Sequence, residues 1–251
     1  MVTHIIIPLP QRSEFKLQDY ASLYSHLPEK KFSLLPLMDF IRGKKKSTTD
    51  QDRELFEEKV VEEAKDLQTD INIVRSQSSL ESLLNLSCFA DLVSLQVVTG
   101  KSLENFTSVF TDNILGKMNC ALLISPFTSD VFEEIMILGD YDQSIVTAIK
   151  SFNLLFDKAS RHRRVTVLTP TPDDELSIVF EQDLIAFIRK SFHDVGIVPI
   201  KADGVDKQLV SIASKMDKPL LILGHKHQDL IFSSEMRSLI VAKKLSLFYS
   251  N

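Results

Sequence analysis

The sequence predicts an α/β protein made of two tandem domains, residues 1–127 and 128–251, each a five-stranded parallel sheet with helices on both faces. Three observations carry that expectation. Short, continuously apolar runs alternate with longer amphipathic stretches, the pattern of strands covered on both faces and joined by crossover helices. Five such runs recur in the same order in each half, at offsets of about 125 to 133 residues. The composition is globular, with 44% hydrophobic and 25% charged residues in a chain of 251, which excludes disorder, collagen-like repeats and a disulfide scaffold.

The first run, 4–9, is His-Ile-Ile-Ile-Pro-Leu, and its counterpart is 133–139. Run 32–38 corresponds to 165–171, 71–75 to 197–201, 90–95 to 218–223, and 120–125 to 245–250. Between them, 49–67 opens on Thr-Thr-Asp and carries Leu55, Phe56, Val60, Val61, Ala64 and Leu67 at helical spacing. The stretch 173–194 follows Pro172 and places Leu176, Val179, Phe180, Leu184, Phe187, Ile188 and Phe192 on one side, with Gly196 ending it. Stretches 143–160 and 204–216 read as helices in the same way. Residues 125–130 (Ser-Pro-Phe-Thr-Ser-Asp) form a short linker, so the halves are expected to pack closely.

The net charge is −5, and neither half is basic: 14 basic against 17 acidic residues in the first, 15 against 17 in the second. That argues against a nucleic-acid binder held by phosphate contacts. The run Arg42-Gly43-Lys44-Lys45-Lys46 is followed by Glu-rich sequence and reads as a solvated loop rather than an anion or membrane site. Cys88 and Cys120 lie beside apolar residues and are expected to be two buried thiols in a reduced compartment. Pro8 comes too soon for a signal peptide, and no apolar run approaches membrane-spanning length, so a cytoplasmic protein without a membrane partner is expected. Only 7 glycines occur, where average usage of about 7% gives roughly 17, which leaves little to wrap a phosphate with backbone N–H groups.

The residues at the strand ends carry a more specific signal. Ile135-Met136-Ile137-Leu138-Gly139-Asp140-Tyr141-Asp142-Gln143-Ser144 resembles the opening strand and Asp-x-Ser turn of the universal stress protein family. Leu221-Ile222-Leu223-Gly224-His225-Lys226-His227 resembles its fourth strand running into the phosphate loop. The layout resembles a tandem, two-domain member with a degenerate nucleotide motif. That resemblance implies strand order 3-2-1-4-5 in each sheet and pairing of the halves along their fifth strands as an intrachain pseudo-dimer. In the family's nucleotide-binding branch the loop reads Gly, two residues, Gly, nine residues, then Gly and Ser or Thr. Here Gly224 and Ser238 keep their places, while His227 and Arg237 replace the other two glycines. The candidate nucleotide set is Gly139, Asp142, Leu168, Gly224, His225, His227, Arg237 and Ser238. The first half lacks the Asp and the loop, and is expected to be a structural partner.

The resemblance implies a non-catalytic stress-response or regulatory protein, with ATP or AMP, with Mg, as the ligand of the second half. Two lost glycines imply affinity on the order of tens of micromolar or weaker. An interaction module that has lost nucleotide binding is the alternative, and a slow ATP hydrolase a weaker one. A homodimer and unknown protein partners are the expected associations. Other signals have plainer readings. Gly100-Lys101-Ser102 would need glycine at Leu95 to be a P-loop, so it reads as a helix start. His225 and His227 have chelating spacing but no evident third ligand, and Asp140-Tyr141-Asp142 is a weak Mg²⁺ motif. Asp142 reads either as a ribose or adenine contact or as a cap on the next helix.

Overall fold

In the computed structural model the described residues are 2–9, 15–36, 50–74, 80–97, 103–104, 107, 110–126, 132–139, 141–171, 175–201, 203–242 and 244–251. The basic run 42–46, the segment 100–102, Asp140 and linker residues 127–130 lie outside them.

The first half contributes β1 (Thr3–Leu9), α1 (Leu17–Leu23), β2 (Lys30–Pro36), α2 (Asp50–Asp66), β3 (Asp70–Ile73), α3 (Leu80–Ser87), β4 (Leu92–Gln96), α4 (Asp112–Leu115) and β5 (Ala121–Ser125). The second contributes β6 (Glu134–Leu138), α5 (Gln143–Ser160), β7 (Arg164–Pro170), α6 (Glu175–Ser191), β8 (Asp194–Ile200), α7 (Val205–Ala213), β9 (Pro219–Leu223), a 3₁₀ helix (His225–Phe232), α8 (Ser234–Val241) and β10 (Ser246–Tyr249).

All ten strands form one sheet in the order β3-β2-β1-β4-β5-β10-β9-β6-β7-β8. The two five-stranded sheets expected of the halves are one continuous sheet, because β5 and β10 pair antiparallel, Leu122 opposite Tyr249 and Ile124 opposite Leu247. Every other pairing is parallel. On either side of the β5–β10 join the strands follow the same order, third-second-first-fourth-fifth. The join satisfies two apolar edges that would otherwise be exposed.

Alternation along the strands fills both faces. Ile5 and Ile7 of β1, and Ile135 and Ile137 of β6, enter one core with Phe32, Phe152, Phe156 and Phe248. Ile6, Met136 and Leu138 enter the other with Leu95, Leu221, Leu223 and Tyr249. Each core therefore runs through both halves. The ring of Tyr24 lies 6.4 Å from that of Phe156, and His26 Nε2 bonds Leu155 O at 3.1 Å, so the turn that follows α1 is stitched to α5 of the other half.

Three local expectations are corrected. In α2 and α6 the buried stripe is narrower than the apolar one. Val60, Ala64, Leu184 and Ile188 are buried, but Leu55 is 64% and Leu176 81% exposed, because these helices cover outer strands and overhang the sheet. Gly196 stands inside edge strand β8, not at a helix end. Cys88 is exposed at the end of α3, where its Sγ accepts from Asn119 Nδ2 at 3.3 Å. Cys120 is half-buried, and burial pushes its thiol up to about 12.

Candidate functional site

Ligands of open parallel sheets gather outside the carboxyl ends of the strands, where the chain must turn into the next helix. In the second half β6 and β9 are neighbours and end side by side. After β6, the Gly139 N–H donates to Leu168 O at 2.8 Å, and a Cβ at Gly139 would meet Leu184 Cδ2 at 3.2 Å. Leu168 is buried in β7, so its place at the site is structural, through that carbonyl. Tyr141 takes the left-handed conformation (φ 55°), and its hydroxyl donates to Pro170 O. This turn delivers Asp142 to the N-cap of α5, where Oδ1 accepts from the Ser144 N–H at 2.8 Å. That bond holds the Asp142 carboxyl below its ordinary range. The helix-cap reading of Asp142 is thus what its geometry displays, with the carboxylate on the positive end of α5.

Gly224, after β9, lies against the same helix end. A Cβ there would stand 2.5 Å from Ser144 Oγ, 2.6 Å from Ile145 N and 2.8 Å from the Ser144 carbonyl carbon. Two of those atoms are backbone and cannot swing aside, so only glycine fits. The chain then winds into the 3₁₀ helix, kinked at His227, whose N–H donates to Gly224 O at 3.2 Å. The His227 ring is half-buried, and burial lowers its pKa. His225 Nδ1 lies 3.1 Å from the Tyr249 hydroxyl, at the end of β10.

The next helix begins earlier than the counted loop spacing implies. Ser233 caps α8, its hydroxyl accepting from the Met236 N–H at 3.2 Å. Arg237 and Ser238 fall one turn inside the helix, and Ser238 Oγ donates to Ser234 O at 2.8 Å. The residues at the N–H-rich start of α8 are Ser233 and Ser234. Ser-Ser-Glu at 233–235 is a helix-start signal that the spacing argument passed over.

Three of the candidates line clefts, His225 one and Arg237 and Ser238 another. The first cleft, of about 580 Å³, is lined by residues 116–120 of the first half with Ser144, His225, Ser250 and Asn251. Asn251 Nδ2 donates to Leu115 O and Met118 O, both at 2.9 Å, which ties the chain end to the first half. Lys117, Asn119 and Cys120 reach this cleft from the first half, more than a hundred residues before His225 and Asn251, with no local signal to announce them. The other cleft, of about 520 Å³, takes Arg237 and Ser238. Among the described residues no group of three His, Cys, Asp or Glu side chains is placed to hold a metal ion, and no helix is long and apolar enough to cross a membrane.

The polarity reversal at the centre of a ten-stranded sheet, with the same strand order on either side, is the decisive architectural mark. This fold is similar to that of a universal stress protein. The match is to one from Archaeoglobus fulgidus DSM 4304, with a TM-score of 0.64 and 11% identity, covering 99% of this chain and 96% of that one. A shikimate 5-dehydrogenase from Listeria monocytogenes aligns with a TM-score of 0.25 and 10% identity over 94% of this chain and 72% of its own, too loosely to carry an argument. No protein-family model and no curated protein matches the sequence. At this identity the likeness to the universal stress protein is one of fold.

Proposed function

We propose that the chain is a non-catalytic regulatory protein of the universal-stress type, built of two such domains, 1–127 and 128–251, and working through protein partners rather than through a bound nucleotide. The observation that carries this reading is the environment of Gly224. Of the three loop glycines that the resemblance requires, the one that survives is the one that packing against α5 demands. Its survival is explained without a phosphate. The two positions that would serve only a ligand hold His227, half-buried in the kinked 3₁₀ helix, and Arg237, inside α8. Backbone N–H groups of the loop, such as that of His227, are turned onto its own carbonyls.

The test is calorimetric titration with MgATP and MgAMP. No saturable binding is expected below about 100 μM, weaker than roughly −5.5 kcal/mol. Saturation below about 10 μM overturns the proposal. A second reading, weak adenine-nucleotide binding, has one observation in its favour: the 580 Å³ cleft lies at the end of β9, with Ser144, His225 and Lys117 on its walls. If it holds, Lys117→Ala weakens whatever binding the titration detects. Slow ATP hydrolysis would need a base with hydrogen-bond reach to water; His225 lines that cleft, and His227 stands in the same 3₁₀ helix.

A further inference from the structure

We infer that the cleft between α8 and the first half is a binding site for a small monocarboxylate with an apolar body, held by Arg237. Ser234, Arg237, Ser238 and Val241 recur at helical spacing on one face of α8 and line this cleft with Ala242, Leu103 and Glu104. It shares no lining residue with the cleft at the end of β9, so the inference does not rest on the proposed function. Its volume of about 520 Å³ lies within the roughly 300–1,000 Å³ of small-molecule sites.

Arg237 is the group that asks for a ligand. Its Nε is shut off from water and has no acceptor, and it makes no ion pair with a described residue. A guanidinium donor left without an acceptor carries the full cost of its desolvation. A carboxylate meets that need: turning Arg237 about its own torsions presents Nε–H and a terminal N–H side by side, the fork that a carboxylate accepts.

The rest of the lining selects against other anions. The Ser234 hydroxyl already donates to Glu235 Oε2 at 2.7 Å, and that of Ser238 to Ser234 O at 2.8 Å. Arg237 is thus the one cationic donor among the described lining residues, and Glu104 adds a negative charge to them. A multiply charged phosphate would be left under-neutralised, whereas a single carboxylate is matched. Leu103, Val241 and Ala242 supply an apolar wall for the rest of the ligand.

The probe is sodium octanoate, titrated into the full chain below its micelle concentration by calorimetry and by two-dimensional NMR. Saturable binding is expected, with shifts concentrated at residues 234–242. Arg237→Gln is expected to weaken it about tenfold or more, as loss of a charge-assisted pair implies. Glu104→Gln is expected to tighten it several-fold, and octan-1-ol, of similar length without the carboxylate, to bind at least tenfold more weakly. Circular dichroism melting checks that each variant folds, and Arg237→Lys, which keeps charge and loses the fork, is expected to fall between wild type and Arg237→Gln. Absence of octanoate binding to the wild type, or binding indifferent to Arg237→Gln, overturns the inference. Equal binding of octanol overturns it too, as does inorganic phosphate binding more tightly than octanoate.

Discussion

In the first half the helix after the opening strand is short, and Tyr20 on it and Tyr24 at its C-terminal end both reach β4. The Gln96 N–H, the last of β4, donates to the Tyr20 hydroxyl at 3.3 Å, and the Tyr24 hydroxyl donates to Ser94 Oγ at 2.5 Å. Both rings are buried, and burial pushes both phenols well above their ordinary range. In the second half the matching helix, α5, is 18 residues long against 7 for α1, is capped by Asp142, and meets the end of β9 at a bare glycine. In one half a side chain of the first helix meets the end of the fourth strand. The other brings a helix terminus and a strand end into backbone contact and leaves a cleft beside them. The same strand order thus supports two kinds of contact between first helix and fourth strand, a tyrosine hydroxyl in one half and a backbone approach at glycine in the other.

The largest test of this contrast concerns what the halves share. Phe248 of β10 is buried, its ring 5.4 Å from that of Phe152 and 6.2 Å from that of Phe156. Phe248→Ala is expected to cost about 3–5 kcal/mol in urea unfolding, in a single transition. Two transitions, with the first half unaffected, would separate the halves energetically. Gly224→Ala comes next. The backbone atoms of α5 cannot retreat, so overpacking of about 1–3 kcal/mol is expected, whereas Gly196→Ala, whose Cβ would meet its nearest atom at 3.9 Å, is expected to change little. If Gly224→Ala is neutral in thermal melts, the close packing of β9 against α5 is refuted.

Tyr24→Phe leaves the buried Ser94 hydroxyl without its donor and is expected to cost about 1–2 kcal/mol, while Tyr24→Phe with Ser94→Ala recovers part of that loss. A double-mutant cycle measures it. Asp142→Ala is expected to cost about 1 kcal/mol as a lost cap. Because the folded carboxyl has a lowered pKa, its contribution is complete above the unfolded value of about 3.9 and is lost as pH falls through the folded one. The stability difference between wild type and Asp142→Ala should therefore shrink below about pH 4. A constant difference down to pH 2 would mean that the carboxylate is not the capping group.

How much of this was legible in the sequence follows from where each signal is encoded. Strands buried on both faces must be apolar at every position, and runs such as 135–138 and 220–223 announced themselves for that reason. Their recurrence raised the expectation of a repeated strand layout; the resemblance supplied the order of strands and the pairing of β5 with β10. Gly224 and Asp142 were legible as residues at strand ends, and Asp142 as a cap on the next helix, but not what Gly224 touches, since Ser144 and Ile145 lie about 80 residues away in sequence. The start of α8 was missed because a loop spacing was counted where Ser233 already signalled a cap. The exposure of Cys88 was missed because Phe89, its apolar neighbour, is itself 80% exposed. Tyr20 gave no sign, because its hydroxyl finds the end of β4 only after the sheet has formed.

The antiparallel seam at β5–β10 has one more consequence. Within each half all strands point the same way, so reversal at the seam sends the carboxyl ends of the two halves to opposite rims of the sheet. A flat partner lying along one rim meets the strand tails of one half and the strand starts of the other. The molecule is therefore two-faced: it cannot present duplicate loops to one surface and gain avidity from them. Two partners, one at each rim, can be held at the same time without competing for ground.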